Sequence, residues 1–250
     1  MPTKNEILAV RALRNRKTRQ IECKFTVEGR IGVSEALSSG WPIHGLYCTD
    51  VSGIPEEWKA ERVTAREMER MSTLTSPPGV LAVVGMPDAT ASVLDVSSLN
   101  SPSLSLVLDG LSDPGNLGTI IRTADWFGCR QIFVSPDSVD AFNPKVVQAT
   151  MGGIFRVKVT VVELEGFLKE CSRESIVIAG LDLRGESLPE ARRRLSESHV
   201  MAVVGSESHG LSVPVKEACT DFIHIPGGGG MESLNAAMAA GIVLAQWSLH

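Results

Sequence analysis

The run Leu104-Ser105-Leu106-Val107-Leu108-Asp109-Gly110-Leu111-Ser112-Asp113-Pro114-Gly115-Asn116-Leu117-Gly118-Thr119-Ile120-Ile121-Arg122-Thr123-Ala124 decides the fold of this chain. A buried-type strand ends at Leu108, a Pro-Gly turn follows, and a helix starts near Asn116. Leu117, Ile120, Ile121, Ala124 and Phe127 recur at helical spacing and form its apolar stripe. Arg122 points to the opposite side, where spacing alone favours a surface arginine over a functional cation.

The same strand-then-helix pattern repeats downstream. Apolar strands are expected at Leu104–Leu108, Gln131–Val134, Val157–Val162, Ile176–Ala179, Val200–Val204 and Phe222–Ile225, with helices between most of them. Such alternation predicts a mainly parallel sheet covered on both faces. Its ligand would lie outside the carboxyl ends of the strands. Two more segments stand at those ends. One is Gly205-Ser206-Glu207-Ser208-His209-Gly210-Leu211. The other runs from Ile225-Pro226 through the glycines 227–230 to Ser233-Leu234-Asn235 and a helix. No Gly-Lys-Ser/Thr follows the glycines, so this is not a P-loop. Leu234, Met238, Gly241, Ile242 and Ala245 share one face of the last helix.

Upstream, a second α/β pattern is expected: a helix over 5–17, strands Ile21–Val27, Ile43–Cys48 and Val80–Val84, and helices Ile31–Ser39 and Thr64–Met71. Residues 86–103 are rich in Ser, Pro, Ala and Asp and read as a linker. The chain of 250 residues thus divides into a small domain, 1–85, and a larger one, 104–250.

Charge is unevenly spread. Residues 1–24 hold Lys4, Arg11, Arg14, Arg16, Lys17, Arg19 and Lys24 against Glu6 and Glu22, a surplus of five on a chain whose net charge is −5. A basic end on an acidic body fits an RNA footprint, or a solvated helix face. The five cysteines are scattered with no CxxC pair, which argues against zinc and a disulfide framework and fits a reducing cytosol. No apolar run is long enough to span a membrane, and no signal peptide is apparent.

Taken together, three segments resemble the motifs of the SpoU (TrmH) family of the SPOUT superfamily. The first is Asn116-x-Gly118-x-x-x-Arg122-x-Ala124-x-x-Phe127-Gly128. The second is Gly205-Ser206-Glu207-x-x-Gly210-Leu211. The third combines Ile225-Pro226, Gly229, Ser233-Leu234-Asn235 and Ala239-Ala240-Gly241. Asn143-Pro144-Lys145-Val146-Val147 with Met151-Gly152 is similar to a further family segment, so the likeness covers about 104–250. Phe25-x-Val27-Glu28-Gly29 and Gly79-Val80-Leu81-Ala82-Val83 resemble an L30e-like substrate-binding domain.

The resemblance implies an α/β fold: a parallel-sheet SPOUT domain with a C-terminal trefoil knot, behind a smaller L30e-like domain. It implies S-adenosylmethionine-dependent 2′-O-ribose methylation of RNA, with 23S ribosomal RNA as substrate and without a metal. It further implies a cytoplasmic homodimer with the active site at the subunit interface. The donor would be bound through Gly205, Ile225 and Leu234, with Gly229 and Ser206 beside them. Arg122, Asn116, Glu207, Ser233 and Asn235 would form the catalytic set. Guanidinium stays protonated in proteins, so Arg122 reads better as a phosphate clamp than as a base.

The sequence departs from the family at Gly227, where Met is usual, at Ala237, where Ser is common, at Gln148, where Arg is frequent, and at His209, where a small residue is expected. Other readings are a non-catalytic ribosome-assembly protein, a tRNA rather than rRNA substrate, and protection of the ribosome against an antibiotic. Ser206-x-Ser208-x-Gly210 also approaches a hydrolase elbow, but an elbow needs Gly at position 206.

Overall fold

The computed structural model describes residues 2–51, 54–87, 103–231 and 233–248, so most of the expected linker lies outside the described residues. The chain forms two compact units. Unit 1 takes in 1–92 together with Asp140–Arg156, and unit 2 takes in 93–139 together with Val157–His250.

Unit 1 begins with α1 (Lys4–Ala12) and α2 (Arg16–Glu22), where a single helix was expected. The break follows from Asn15, whose side chain accepts from the Lys17 amide at 2.9 Å and caps a new helix. The expected strand at Ile21 starts only at Lys24, because α2 runs to Glu22 and Cys23 closes it in the left-handed conformation. Then follow β1 (Lys24–Glu28), α3 (Arg30–Ser38), β2 (Ile43–Cys48), β3 (Glu61–Arg62), α4 (Ala65–Met71) and β4 (Val80–Gly85). The sheet order is β1-β4-β2-β3, with β4 antiparallel to both of its neighbours.

Alternation along β4 divides the core of this unit in two. Val80, Ala82 and Val84 pack with Phe25, Val33 and Ala36 on one face. Leu81 and Val83 pack with Ile7, Val10, Met68 and Met71 on the other. The segment Asp140–Arg156, which the sequence pattern kept with 104–250, completes the first face. It carries α6 (Pro144–Thr150) and contributes Val147, Phe142 and Phe155. The rings of Phe25 and Phe142 lie 4.9 Å apart, and Phe155 meets Trp41 edge-on at 5.2 Å.

Arg19 fastens this segment. It is 2% exposed, donates to the carbonyls of Leu13 and Arg14 at 2.8 Å each, and pairs with Asp140. One of the seven cations expected to face RNA is therefore a buried structural clasp; Arg11, Arg14, Arg16 and Lys17 are exposed.

Unit 2 is the expected parallel sheet. Its elements are β5 (Ser103–Leu108), α5 (Pro114–Trp126), β6 (Gln131–Val134), β7 (Lys158–Val161), α7 (Leu164–Arg173), β8 (Val177–Ser187), α8 (Leu188–Arg194), β9 (His199–Val204), α9 (Val213–Ala218), β10 (Asp221–His224) and α10 (Ala236–Ser248). The order is β10-β8-β9-β5-β6-β7, and every neighbouring pair is parallel. Val107, Phe133, Ile178, Met201 and Val203 pack with α7 and α9. Leu106, Leu108, Ala202 and Val204, which alternate with them, are buried too, so both faces of the sheet are covered.

Candidate active site

The site gathers where β5, β9 and β10 end, because parallel strands bring all their carboxyl ends to one edge. Beyond β5, Asp109 is 7% exposed and accepts from the Ser212 amide at 2.7 Å. Gly110 turns with φ +68 and donates its amide to Ser135 Oγ at 2.9 Å. Asp113 then caps α5, accepting from the Asn116 amide at 2.7 Å, with Pro114 in the first turn. These contacts fix Asn116 at the start of the helix.

Asn116 joins the three motif segments. Its Nδ2 donates to Glu207 Oε1, and its Oδ1 accepts from Asn235 Nδ2 at 3.0 Å. Asn235 in turn caps α10, its Oδ1 accepting from the amides of Ala237 at 3.0 Å and Met238 at 3.2 Å. A single amide side chain thus uses its donor and its acceptor to tie two distant loops to α5.

Glu207 sits at the tip of a tight loop. Ser206 and Gly210 exchange both backbone hydrogen bonds, at 3.1 and 2.9 Å. A Cβ on Gly205 would lie 2.2 Å from the Gly210 carbonyl carbon, so only glycine fits there. His209 contacts Ser208 Oγ at 2.8 Å, but no carboxylate orients it among the described residues, which counts against the hydrolase reading.

The third segment leaves β10 at Ile225. Gly227, Gly228, Gly229 and Gly230 are exposed, and nothing lies within 4 Å of where their Cβ atoms would stand. The bare main chain of these glycines leaves room for a ligand held by main-chain groups such as the S-adenosylmethionine adenine, and Gly205 and Ile225, just past the ends of β9 and β10, are half-buried. Leu234 is 50% exposed, and Ser233 makes no hydrogen bond among the described residues.

Arg122 stands apart from this cluster within one chain. It is exposed and makes no hydrogen bond or ion pair among the described residues. Six residues along an α-helix carry it about 9 Å from Asn116 and about 120° around the axis. It shares its face with Thr119 and with Trp126, which is 84% exposed.

The last helix divides into a buried and an open side. The small residues Ala236, Ala237, Ala239 and Ala240 are buried inside the chain, as are Val243 and Leu244. The stripe of Leu234, Met238 and Ile242 is the open side, with Met238 60% exposed. Small side chains are what let α10 pack against α5, as where Thr123 approaches Gly241.

Sequence patterns did not assign roles to Asp109, Ser135 or Trp126. The Asp113-Pro114 cap was a usable signal; an exposed tryptophan has none, since apolar residues are normally read as core. No cluster of three or more metal-ligating side chains occurs among the described residues, and none of their helices is long and apolar enough to cross a membrane.

Residues 103–245 match the SpoU rRNA Methylase family, and residues 4–82 match the MRM3-like substrate binding domain. The chain is 28% identical, over 93% of its length and 91% of the relative's, to the 23S rRNA (guanosine(2553)-2′-O)-methyltransferase RlmP of Bacillus subtilis. Its fold superposes with TM-score 0.83 on a TrmH-family protein from Porphyromonas gingivalis, at 37% identity over 99% of this chain and 98% of that one. The SpoU methyltransferase AviRb of Streptomyces viridochromogenes, solved with AdoMet, also gives 0.83, at 27% identity over 99% and 97%.

Proposed function

Since the chain belongs to the SpoU rRNA methylase family and is an S-adenosylmethionine-dependent RNA 2′-O-methyltransferase, we propose that it methylates a ribose of 23S ribosomal RNA in the cytoplasm. The observation that carries this reading is the Asn116 junction, which draws all three motif segments to one edge of the sheet.

The donor supplies an electrophilic methyl group on a sulfonium. The protein's task is to place a ribose 2′-hydroxyl in line with the C–S bond and to let its proton leave. Asn116, held between Glu207 and Asn235, fixes the loops that frame the donor cradle. Ser206, Gly229 and Ser233 line the same loops. Arg122 stays cationic and clamps the phosphate beside the reacting ribose, while that phosphate or water takes the proton.

Arg122 lies on a different side of α5 from Asn116, so it serves the cradle of a second copy in a homodimer. The exposed Trp126, Met238 and Leu234 supply an apolar surface for that contact. The exposed cations of α1 and α2 add a phosphate-binding surface to the substrate-binding unit.

Mapping 2′-O-methyl groups in ribosomal RNA from strains with and without the gene tests the proposal. One 23S site should lose its methyl group and regain it on complementation. An unchanged 23S map, with a lost site in transfer RNA, would replace the substrate. Comparing the two strains' sensitivity to ribosome-targeting antibiotics separates a protective role from a housekeeping one.

A further inference from the structure

Unit 1 holds a cleft of about 410 Å³ that shares no residue with the Asn116 junction. Two stretches far apart in sequence line it: the turn from Val27 into α3, and the exit of α6 from Val147 to Phe155. Its apolar walls include Val27, Pro78, Val147, Met151, Ile154 and Phe155. Its polar lining is Glu28, Arg30 and Gln148.

The backbone is bent to make this space. Met151 has φ +51 and Gly152 φ +96, consecutive left-handed residues that end α6. A Cβ on Gly152 would lie 2.7 Å from Glu35 Cβ, so glycine is what lets the α6 exit pass this close to α3. Arg156 pairs with Glu35 and holds the approach. Met151 closes α6 as its left-handed C-cap, as Cys23 closes α2. Its side chain is 38% exposed and is not spent on core packing, so it faces the cleft as an open apolar wall.

The polar groups are not equivalent. Glu28 is already engaged: its carboxylate accepts from the Thr73 amide at 2.9 Å, Thr73 Oγ1 at 2.7 Å and Ser72 Oγ at 2.5 Å. Gln148 is exposed, and its amide makes no hydrogen bond among the described residues. Arg30 contributes a cation at the start of α3.

We propose that this cleft takes one unstacked nucleotide of the RNA substrate. The base face lies against Met151 and the apolar walls, the Gln148 amide reads the base edge, and Arg30 meets the phosphate. A nucleotide presents a flat base face, an edge of donors and acceptors, and an anionic phosphate, and the apolar walls, the Gln148 amide and the Arg30 cation match them in turn. The assignment rests on the RNA-methyltransferase reading and names the part of the substrate that unit 1 recognises. A base in a duplex stays stacked and paired, so the cleft selects single-stranded or bulged RNA.

The test is fluorescence anisotropy with a fluorescein-labelled single-stranded RNA of mixed sequence, and with the same strand annealed to its complement. The variants are Met151→Gly, which keeps a φ that glycine adopts without strain, and Gln148→Ala, at an exposed position. Each should weaken single-strand binding about five- to tenfold and leave duplex binding and S-adenosylhomocysteine titration unchanged. Equal weakening of strand and duplex, or no weakening of either, overturns the cleft assignment. If wild type methylates ribosomal RNA and both variants bind single strands normally, the cleft fails while the enzyme reading stands. If the variants lose single-strand binding but wild type methylates no RNA, the cleft stands and the rRNA reading fails.

Discussion

Asn235 Nδ2 donates to Asn116 Oδ1 at 3.0 Å across 119 residues of sequence, and the same Asn235 caps α10. One side chain therefore carries both a structural and a site-forming duty, and substitution can separate them. Asn235→Ala should remove the cap, cost about 1 kcal/mol and lower the melting temperature by about 2–4 °C. Asn235→Asp keeps the capping oxygen but loses the donor to Asn116 and adds a charge near Glu207. It should melt close to wild type and still lose most of its methyl transfer. Thermal melting beside transfer from labelled donor checks both; full turnover in the aspartate variant would strip the junction of its role.

Arg122→Ala should reduce turnover about 10²–10⁴-fold with little change in donor binding. The side chain is exposed, off the apolar stripe of α5, and free of partners among the described residues, so stability should move by less than about 0.5 kcal/mol. Arg122→Lys keeps a charge but loses the planar fork. Substantial rescue would show that simple phosphate neutralisation suffices, and absent rescue an oriented clamp. Near-wild-type turnover in Arg122→Ala would end the catalytic assignment.

Trp126→Glu combined with Met238→Glu should yield monomers. Both side chains are exposed, at 84% and 60%, so the isolated fold loses no core packing. Sedimentation should show half the wild-type mass, with donor binding weakened and transfer abolished. An active monomer would mean that each chain carries a complete site.

The cations of the N-terminal helices should divide by burial. Arg16→Glu with Lys17→Glu, both exposed, should weaken RNA binding and flatten its salt dependence without loss of stability. Arg19→Ala should instead destabilise the fold by about 3 kcal/mol or more, because Asp140 is left without its partner in a largely buried setting. Denaturant titration and salt-dependent RNA binding read the two effects separately.

Thiol chemistry should follow burial. Desolvation pushes Cys171 up to about 12 and Cys219 to about 11, and raises Cys48 and Cys129 as well, while Cys23 is exposed. Alkylation of the native protein should label Cys23 first, half-buried Cys219 more slowly, and Cys48, Cys129 and Cys171 only on unfolding. Folded-state values raised above the ordinary 9.0 make the thiol contribution complete below pH 9. It is lost as pH rises through 11 to 12, because the unfolded thiols release their protons first. Rapid native labelling of Cys171 would contradict the burial.

Sequence alone determined the parallel sheet. The strands at 104–108, 131–134 and 200–204 announce themselves as apolar runs between helical repeats, and an apolar run of that length has few other ways to be buried. The helix starts were legible only to within a residue or two: α5 begins at Pro114 rather than near Asn116 because Asp113 caps it, and Thr64 is the cap of α4 rather than its first residue. Only the tertiary structure decided that Asn116 meets both Glu207 and Asn235, 91 and 119 residues away. It alone decided that Arg19 is buried while Arg16 is not, that the alanine side of α10 faces inward, and that Asp140–Arg156 folds with unit 1. Periodicity reports that side chains share a face; what covers that face depends on contacts between distant segments, and those are set by packing of the whole chain rather than by any local run of residues.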